Sequence, residues 1–150
     1  MVDLAILGTI ALDDIETPFG KRISTLGGSA TYAAYAASFF AKPGIISIIG
    51  NDFPSEHIET IKKKGIDLEG VKVEGKTFRW SGFYEFDMNE AKTLKTELNA
   101  LETFSPKVPE NYKGAKYLFL ANIDPKSQLK VLNEFKDPFV VLDTMNLWIN

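Results

Sequence analysis

The chain has 150 residues, 45% hydrophobic and 25% charged, with 17 basic against 20 acidic side chains and a net charge of −3. That is about one ordinary globular domain, with no electrostatic case for nucleic acid or an anionic membrane as partner. The absence of cysteine excludes disulfides and thiolate metal sites, and no apolar run is long enough to cross a bilayer as a helix.

The N-terminus lacks a basic region followed by an apolar core, so no signal peptide is expected and a cytoplasmic location is the default. Asp3 to Gly8 is a short apolar run ending in glycine and reads as a buried first strand. Asp13 follows just beyond it, where open α/β sheets bind ligands. Asp14 to Leu26 predicts a small hairpin, with Pro18 and Gly20 in the turn and Ile15 and Ile23 flanking it.

Gly27-Gly28 then opens a run of small residues, with Ala30, Ala33, Ala34 and Ala37 at helical spacing. This predicts a tight turn feeding a helix whose small face packs on a sheet, with Ser29 as its N-cap. The first N–H groups of such a helix would seat a polar or anionic ligand.

Lys42-Pro43-Gly44 breaks the chain, and Gly44 to Gly50 is a second buried strand ending at Asn51-Asp52. A helix is expected over about 55–64, with Gly65 as its stop. The single histidine, His57, falls in its first turn and reads as a solvated residue; one histidine gives no basis for a metal site or a catalytic triad.

Leu68 to Val73 predicts a strand. Phe78, Trp80, Tyr84 and Phe86 then fall on even positions around Gly82, a period of two that predicts strand with an aromatic face and a bend at the glycine. That face would suit a core, a cover over a ligand or a dimer seam. Asn89 to Phe104 carries Leu94, Leu98 and Leu101 at helix-like spacing and predicts a helix. Lys116 to Ala121 is a strand ending at Asn122, Lys126 to Lys136 a helix, and Phe139 to Asp143 a last strand followed by Thr144 and Asn146.

Alternating strands and helices imply a parallel sheet with helices on its faces. The polar strand ends (Asp13, Asn51 with Asp52, Asn122, Asp143 with Asn146) then converge on one edge as a ligand crevice. The hairpins at 14–26 and 77–87 break the alternation and predict a separate small sheet.

Four segments in order resemble the N-terminal half of the PfkB, or ribokinase-like, carbohydrate kinases. Leu7 to Asp13 resembles the family's first strand and sugar-binding aspartate. Gly27-Gly28-Ser29-Ala30-Thr31-Tyr32-Ala33-Ala34 resembles its first signature, with Tyr32 where the family carries asparagine. Ile48 to Phe53 resembles its G-D-D segment, with Asn51 in place of the first aspartate. Thr77 to Tyr84 falls at its lid strands. The resemblance spans essentially the whole chain and implies a ribokinase-like α/β fold, a mostly parallel sheet with flanking helices plus a small β lid at about 14–26 and 77–87.

The resemblance further implies the sugar-binding half of an enzyme that transfers the γ-phosphate of ATP to a sugar hydroxyl. Asp13, Gly27, Gly28, Asn51, Arg79 and Asn122 would contact the substrate. The catalytic aspartate and most of the site for ATP and Mg²⁺ would lie in a C-terminal half outside these 150 residues, so no catalytic residue is assigned here. Partners would be a small sugar, that C-terminal half, and a second copy meeting through the lid.

A nucleoside kinase of the same family remains open, with Phe78, Trp80 or Tyr84 stacking on a base. So does a non-catalytic binding or dimerisation module. A dinucleotide-binding domain is disfavoured, because Gly8-Thr9-Ile10-Ala11 is not G-x-G-x-x-G.

Overall fold

The computed structural model describes residues 2–145 and 148–149. Five strands form one fully parallel sheet in the order β5-β4-β1-β8-β9: β1 (Leu4–Leu7), β4 (Pro43–Ile49), β5 (Asp67–Val73), β8 (Tyr117–Leu120) and β9 (Phe139–Leu142). β4 is buried along its whole length, as a β-branched strand covered on both faces must be.

Side-chain alternation divides the core in two. Ile6 and Ile45 turn to one face, where α1 (Ser29–Ala37) and α2 (Ser55–Lys62) pack. Ala5, Leu7, Ile46, Leu118 and Leu120 turn to the other, under α3 (Pro125–Leu132) and the segment carrying two short 3₁₀ turns, Asn99–Thr103 and Glu110–Tyr112. The alanine spacing meets its expectation: Ala30 and Ala34 are fully buried against the sheet. The small side chains let the helix approach closely.

A second sheet of four strands has the order β3-β2-β6-β7. It joins the hairpin β2 (Ala11–Thr17) and β3 (Gly20–Gly27) to β6 (Phe78–Tyr84) and β7 (Ala91–Glu97). The separate small sheet is thus present and larger than expected, since the hairpin begins at Ala11 and a fourth strand joins it. Gly82 lies at the expected irregularity: the β6–β7 register shifts between Ser81 and Gly82, and a Cβ there would sit 2.3 Å from the Trp80 ring.

Three expectations need correction. The helix over 89–104 is instead strand β7 followed by the first 3₁₀ turn. Leu94 belongs to the strand and Leu101 to the turn, and Asn99 between them has φ 50, which no continuous helix accommodates. Tertiary pairing with β6 overrode the leucine spacing. Phe86 lies past the end of β6, exposed, with its ring edge-on to Phe19. The last helix is shorter than expected, beginning at Pro125 behind the cap Asp124 and ending at Leu132.

Candidate functional site

The parallel sheet brings the C-terminal ends of its strands to one edge. The chain runs outward from β1 through β4 to β5, then returns to place β8 on the other side of β1. The order therefore reverses between β1 and β8, and a ligand crevice opens at such a reversal. Thr9, just past β1, and Asn122, just past β8, stand there.

Short contacts build this corner. The Thr9 amide donates to Ser29 Oγ at 3.1 Å, and Ser29 Oγ donates to the Asn122 carbonyl at 2.9 Å. The Ser29 amide donates to Thr9 Oγ1 at 3.0 Å, and the Ala30 amide donates to the Thr9 carbonyl at 3.0 Å. Ser29 is therefore not the N-cap of α1. Gly28 holds that position without a side-chain cap, and Ser29 instead ties α1 to β1 and β8. The first two amides of the helix are spent on Thr9, so the expected anion seat is already filled by the protein itself. Gly28 has φ 100, and a Cβ there would lie 2.3 Å from the Thr9 carbonyl oxygen, so only glycine fits.

Asp13 lies on β2, beside Trp80 of β6 and Thr25 of β3. Its carboxylate fills the space that a side chain at Gly27 would need: a Cβ there would fall 1.9 Å from Asp13 Oδ2. Burial, then the neighbouring Asp14 charge, pushes the Asp13 carboxyl up to about 6. Tyr32 has its phenol raised by burial, then by the charge of Asp13 and by Tyr84. The Tyr32 phenol thus stands near this carboxyl.

Beside Asp13 opens a cavity of about 660 Å³ between the two sheets. Thr9 and Asn122 form its base, Phe78, Trp80, Thr93 and Thr96 come from the second sheet, and Leu98, Leu101 and Trp148 complete the wall. Registered neighbours of a sheet share a face, so Asp13, Trp80 and Thr96 lie on one side of the second sheet. Trp80 is oriented by its indole N–H, which donates to Thr93 Oγ1 at 3.1 Å. Among the described residues, no donor reaches the buried Asn122 Oδ1.

The six residues expected at the site do not all meet. Asn122 lines the cavity, Asp13 and Gly27 stand beside it, and Gly28 shapes its base. Asn51 is exposed on a turn, with its amide donating to the Gly75 carbonyl. Arg79 alternates away from Phe78 and Trp80 to the opposite face of β6. There it donates to Ser24 Oγ at 3.2 Å and lies 3.8 Å from Asp52 Oδ2.

Asp52 accepts from both the amide and the hydroxyl of Thr77 at 2.8 Å. Burial pushes its carboxyl up, but the Thr77 hydrogen bonds and Arg79 outweigh that and hold it below the usual range. His57 is half-buried rather than solvated. Its Nε2 bonds the Ser24 carbonyl at 3.0 Å, and its ring lies against Phe53. Thr93 and Thr96, hidden by the helical reading of 89–104, are cavity residues the sequence reading missed. Their β-branched side chains in a polar run were the available signal.

Asp143 stands past β9, exposed, and Asn146 lies outside the described residues. Among the described residues, no cluster of three His, Cys, Asp or Glu side chains could hold a metal ion, and no helix is long and apolar enough to cross a membrane. The arrangement can take up a ligand that presents hydroxyl donors to Asp13 and a flat or apolar group to the aromatic wall.

No family model matches the chain. A cytidine kinase of Thermococcus kodakarensis is 32% identical over 145 residues, covering 95% of this chain and 51% of that protein. Among solved structures, a nucleoside kinase of Methanocaldococcus jannaschii, described as an archaeal member of the ribokinase family, superposes with a TM-score of 0.72 at 18% identity. That match covers 95% of this chain and 52% of the other. A ribokinase of Cryptococcus neoformans solved with ADP gives 0.73 at 17% identity, covering 95% and 49%. The chain is ribokinase-like in fold and in its relatives, and it spans about half the length of the proteins it matches.

Proposed function

We propose that this chain is the acceptor-binding half of an ATP-dependent kinase whose acceptor is a nucleoside. The observation that carries the reading is the joining of a half-buried carboxylate, Asp13, to a cavity walled by Phe78 and Trp80. A free sugar would use the carboxylate and leave the aromatic wall without a partner. A nucleoside uses both, and the cytidine kinase relative points the same way. The sugar kinase expected first from the sequence is the second reading.

In this reading Asp13, ionised, accepts hydrogen bonds from the ribose hydroxyls. The base lies against Phe78 and Trp80, beside the Asn122 side chain at the base of the cavity. The missing side chain at Gly27 gives the carboxylate its place. ATP with Mg²⁺, held mostly outside these 150 residues, would supply the phosphoryl group. What this half contributes is positioning of the attacking hydroxyl, a large share of phosphoryl-transfer catalysis. The second sheet acts as a lid that excludes water from the acceptor.

The same reading assigns a cover to β9, whose Phe139, Val140, Val141 and Leu142 are all exposed. The remainder of a longer protein would pair with that edge strand and bury its faces.

Cytidine added to the chain is expected to change tryptophan fluorescence. Trp80→Ala and Asn122→Ala are each expected to weaken binding by about 10-fold, the scale of one lost base contact. Wild-type affinity in both variants, measured by calorimetry, would remove the base from this cavity.

A further inference from the structure

The β2–β3 hairpin carries a fault in its register. From the turn, Thr17 faces Gly20, Glu16 faces Lys21 and Ile15 faces Arg22. Beyond the fault, Asp13 faces Thr25, Leu12 faces Leu26 and Ala11 faces Gly27. Two residues of β3, Ile23 and Ser24, therefore stand opposite Asp14 alone. Ser24 adopts φ 51, a left-handed conformation that a serine does not choose without cause.

Hydrogen bonds supply the cause, because every polar group of Ser24 is held from a different element. Its amide donates to Asp14 Oδ1 at 2.7 Å, from β2. Its hydroxyl accepts from Arg79 Nη1 at 3.2 Å, from β6. Its carbonyl accepts from His57 Nε2 at 3.0 Å, from α2. Arg79 is anchored in turn by Asp52, which Thr77 holds, while Thr77 Oγ1 accepts from the Gly50 amide at the end of β4. The bulge is thereby tied to the parallel sheet.

The register has one consequence at the site. Without the extra residue the pairing would slip by one, and Leu26 rather than Gly27 would come opposite Ala11. Gly27, whose missing side chain leaves room for the Asp13 carboxylate, would then be displaced. Bulges beside functional sites re-aim side chains in this way.

We infer that Asp14, Arg79 and His57 form a clamp on Ser24 that fixes the β2–β3 register, and that these are positioning residues for the Asp13 carboxylate. The importance of the clamp to acceptor binding rests on the proposed function; its hold on Asp13 does not. Arg79, assigned from the sequence to the substrate, acts in this account through Ser24 on the opposite face of the sheet.

The test uses the full chain with two readouts, the carboxyl titration of Asp13 by NMR and cytidine affinity by calorimetry. Ser24→Val cannot take the left-handed conformation without strain, whereas Ser24→Asn tolerates it. The expected result is that Ser24→Val moves the Asp13 midpoint from about 6 toward the ordinary 3.8 and weakens cytidine at least about 10-fold, a loss equivalent to one hydrogen bond to a charged group. Ser24→Asn should keep both near wild type.

An Asp13 midpoint that stays near 6 in folded Ser24→Val overturns the clamp. If Ser24→Val does not fold, His57→Ala and Arg79→Gln replace it: a lowered midpoint in both supports the clamp, and an unmoved one in both overturns it. Should wild-type chain bind no nucleoside, the proposed function falls, while the carboxyl titration still decides the clamp.

Discussion

Asp13→Asn is expected to make the protein more stable at neutral pH while abolishing most acceptor binding. Burial and Asp14 raise the Asp13 carboxyl from its ordinary 3.8 to about 6, so the folded chain resists its ionisation. The sign follows from linkage. Below pH 3.8 the carboxyl is protonated in both folded and unfolded chains and costs nothing. Between 3.8 and about 6 the unfolded chain ionises first, and the folded state loses stability as pH rises. Above 6 the loss is complete.

The carboxyl keeps part of its solvent contact, so the loss at pH 7 is about 1–2 kcal/mol, smaller than the full shift would give. The asparagine variant escapes it, and for a chain of this size the Tm should rise by roughly 2–8 °C at pH 7 and hardly at all at pH 4. Binding moves the other way. The ionised carboxylate can accept two hydroxyl donors, whereas the amide accepts with its oxygen alone and presents donors beside it. Hydrogen bonds to charged groups contribute about 1.5–3 kcal/mol each, so affinity should fall about 10- to 100-fold. Thermal melts at the two pH values and an isotherm check both halves. A variant less stable than wild type at pH 7 would contradict the buried-carboxylate account.

Gly28→Ala should be among the most damaging single methyl additions in the chain. Gly28 has φ 100, and its new Cβ would sit 2.3 Å from the Thr9 carbonyl oxygen. That carbonyl accepts the Ala30 amide at 3.0 Å, so relieving the clash breaks the seam between β1 and the start of α1. Strain and a lost bond together should cost about 3 kcal/mol or more, at the upper end for point substitutions. Gly114→Ala is the control, since its Cβ would meet nothing within 4 Å; it should stay within about 0.5 kcal/mol of wild type. Urea denaturation of both variants decides the point, and equal midpoints would contradict the close approach at Gly28.

The parallel sheet was legible in the sequence because four of its five strands are short, largely apolar runs, β5 with Asp67, Glu69 and Lys72 being the exception. Gly44 to Gly50 and Phe139 to Asp143 could hardly be anything else. The Gly27-Gly28 turn was legible as a close approach, but not the reason for it. One glycine makes room for a carboxylate and the other for a carbonyl, and only the folded register reveals those neighbours.

Asn51 and Arg79 were placed at the substrate by motif position. The fold leaves Asn51 exposed in a turn and sends Arg79 to the far face of β6, because side chains alternate along a strand and Phe78 and Trp80 already take the cavity side. The strand at Ala91–Glu97 was lost to the helical spacing of three leucines, two of which belong to different elements. The bulge at Ser24 left no mark in composition or periodicity. It comes from hydrogen bonds to residues ten, 33 and 55 positions away.

The most direct test of the central claim is a pair of calorimetric titrations, cytidine and ribose, into the full chain at pH 7.5 and pH 5. The account predicts that cytidine binds more tightly than ribose by about 10-fold or more, from stacking on the aromatic wall. It also predicts that both bind more weakly at pH 5, where Asp13, with its midpoint at about 6, is mostly protonated. Equal affinity for the two ligands, or binding that ignores the pH change, would contradict it.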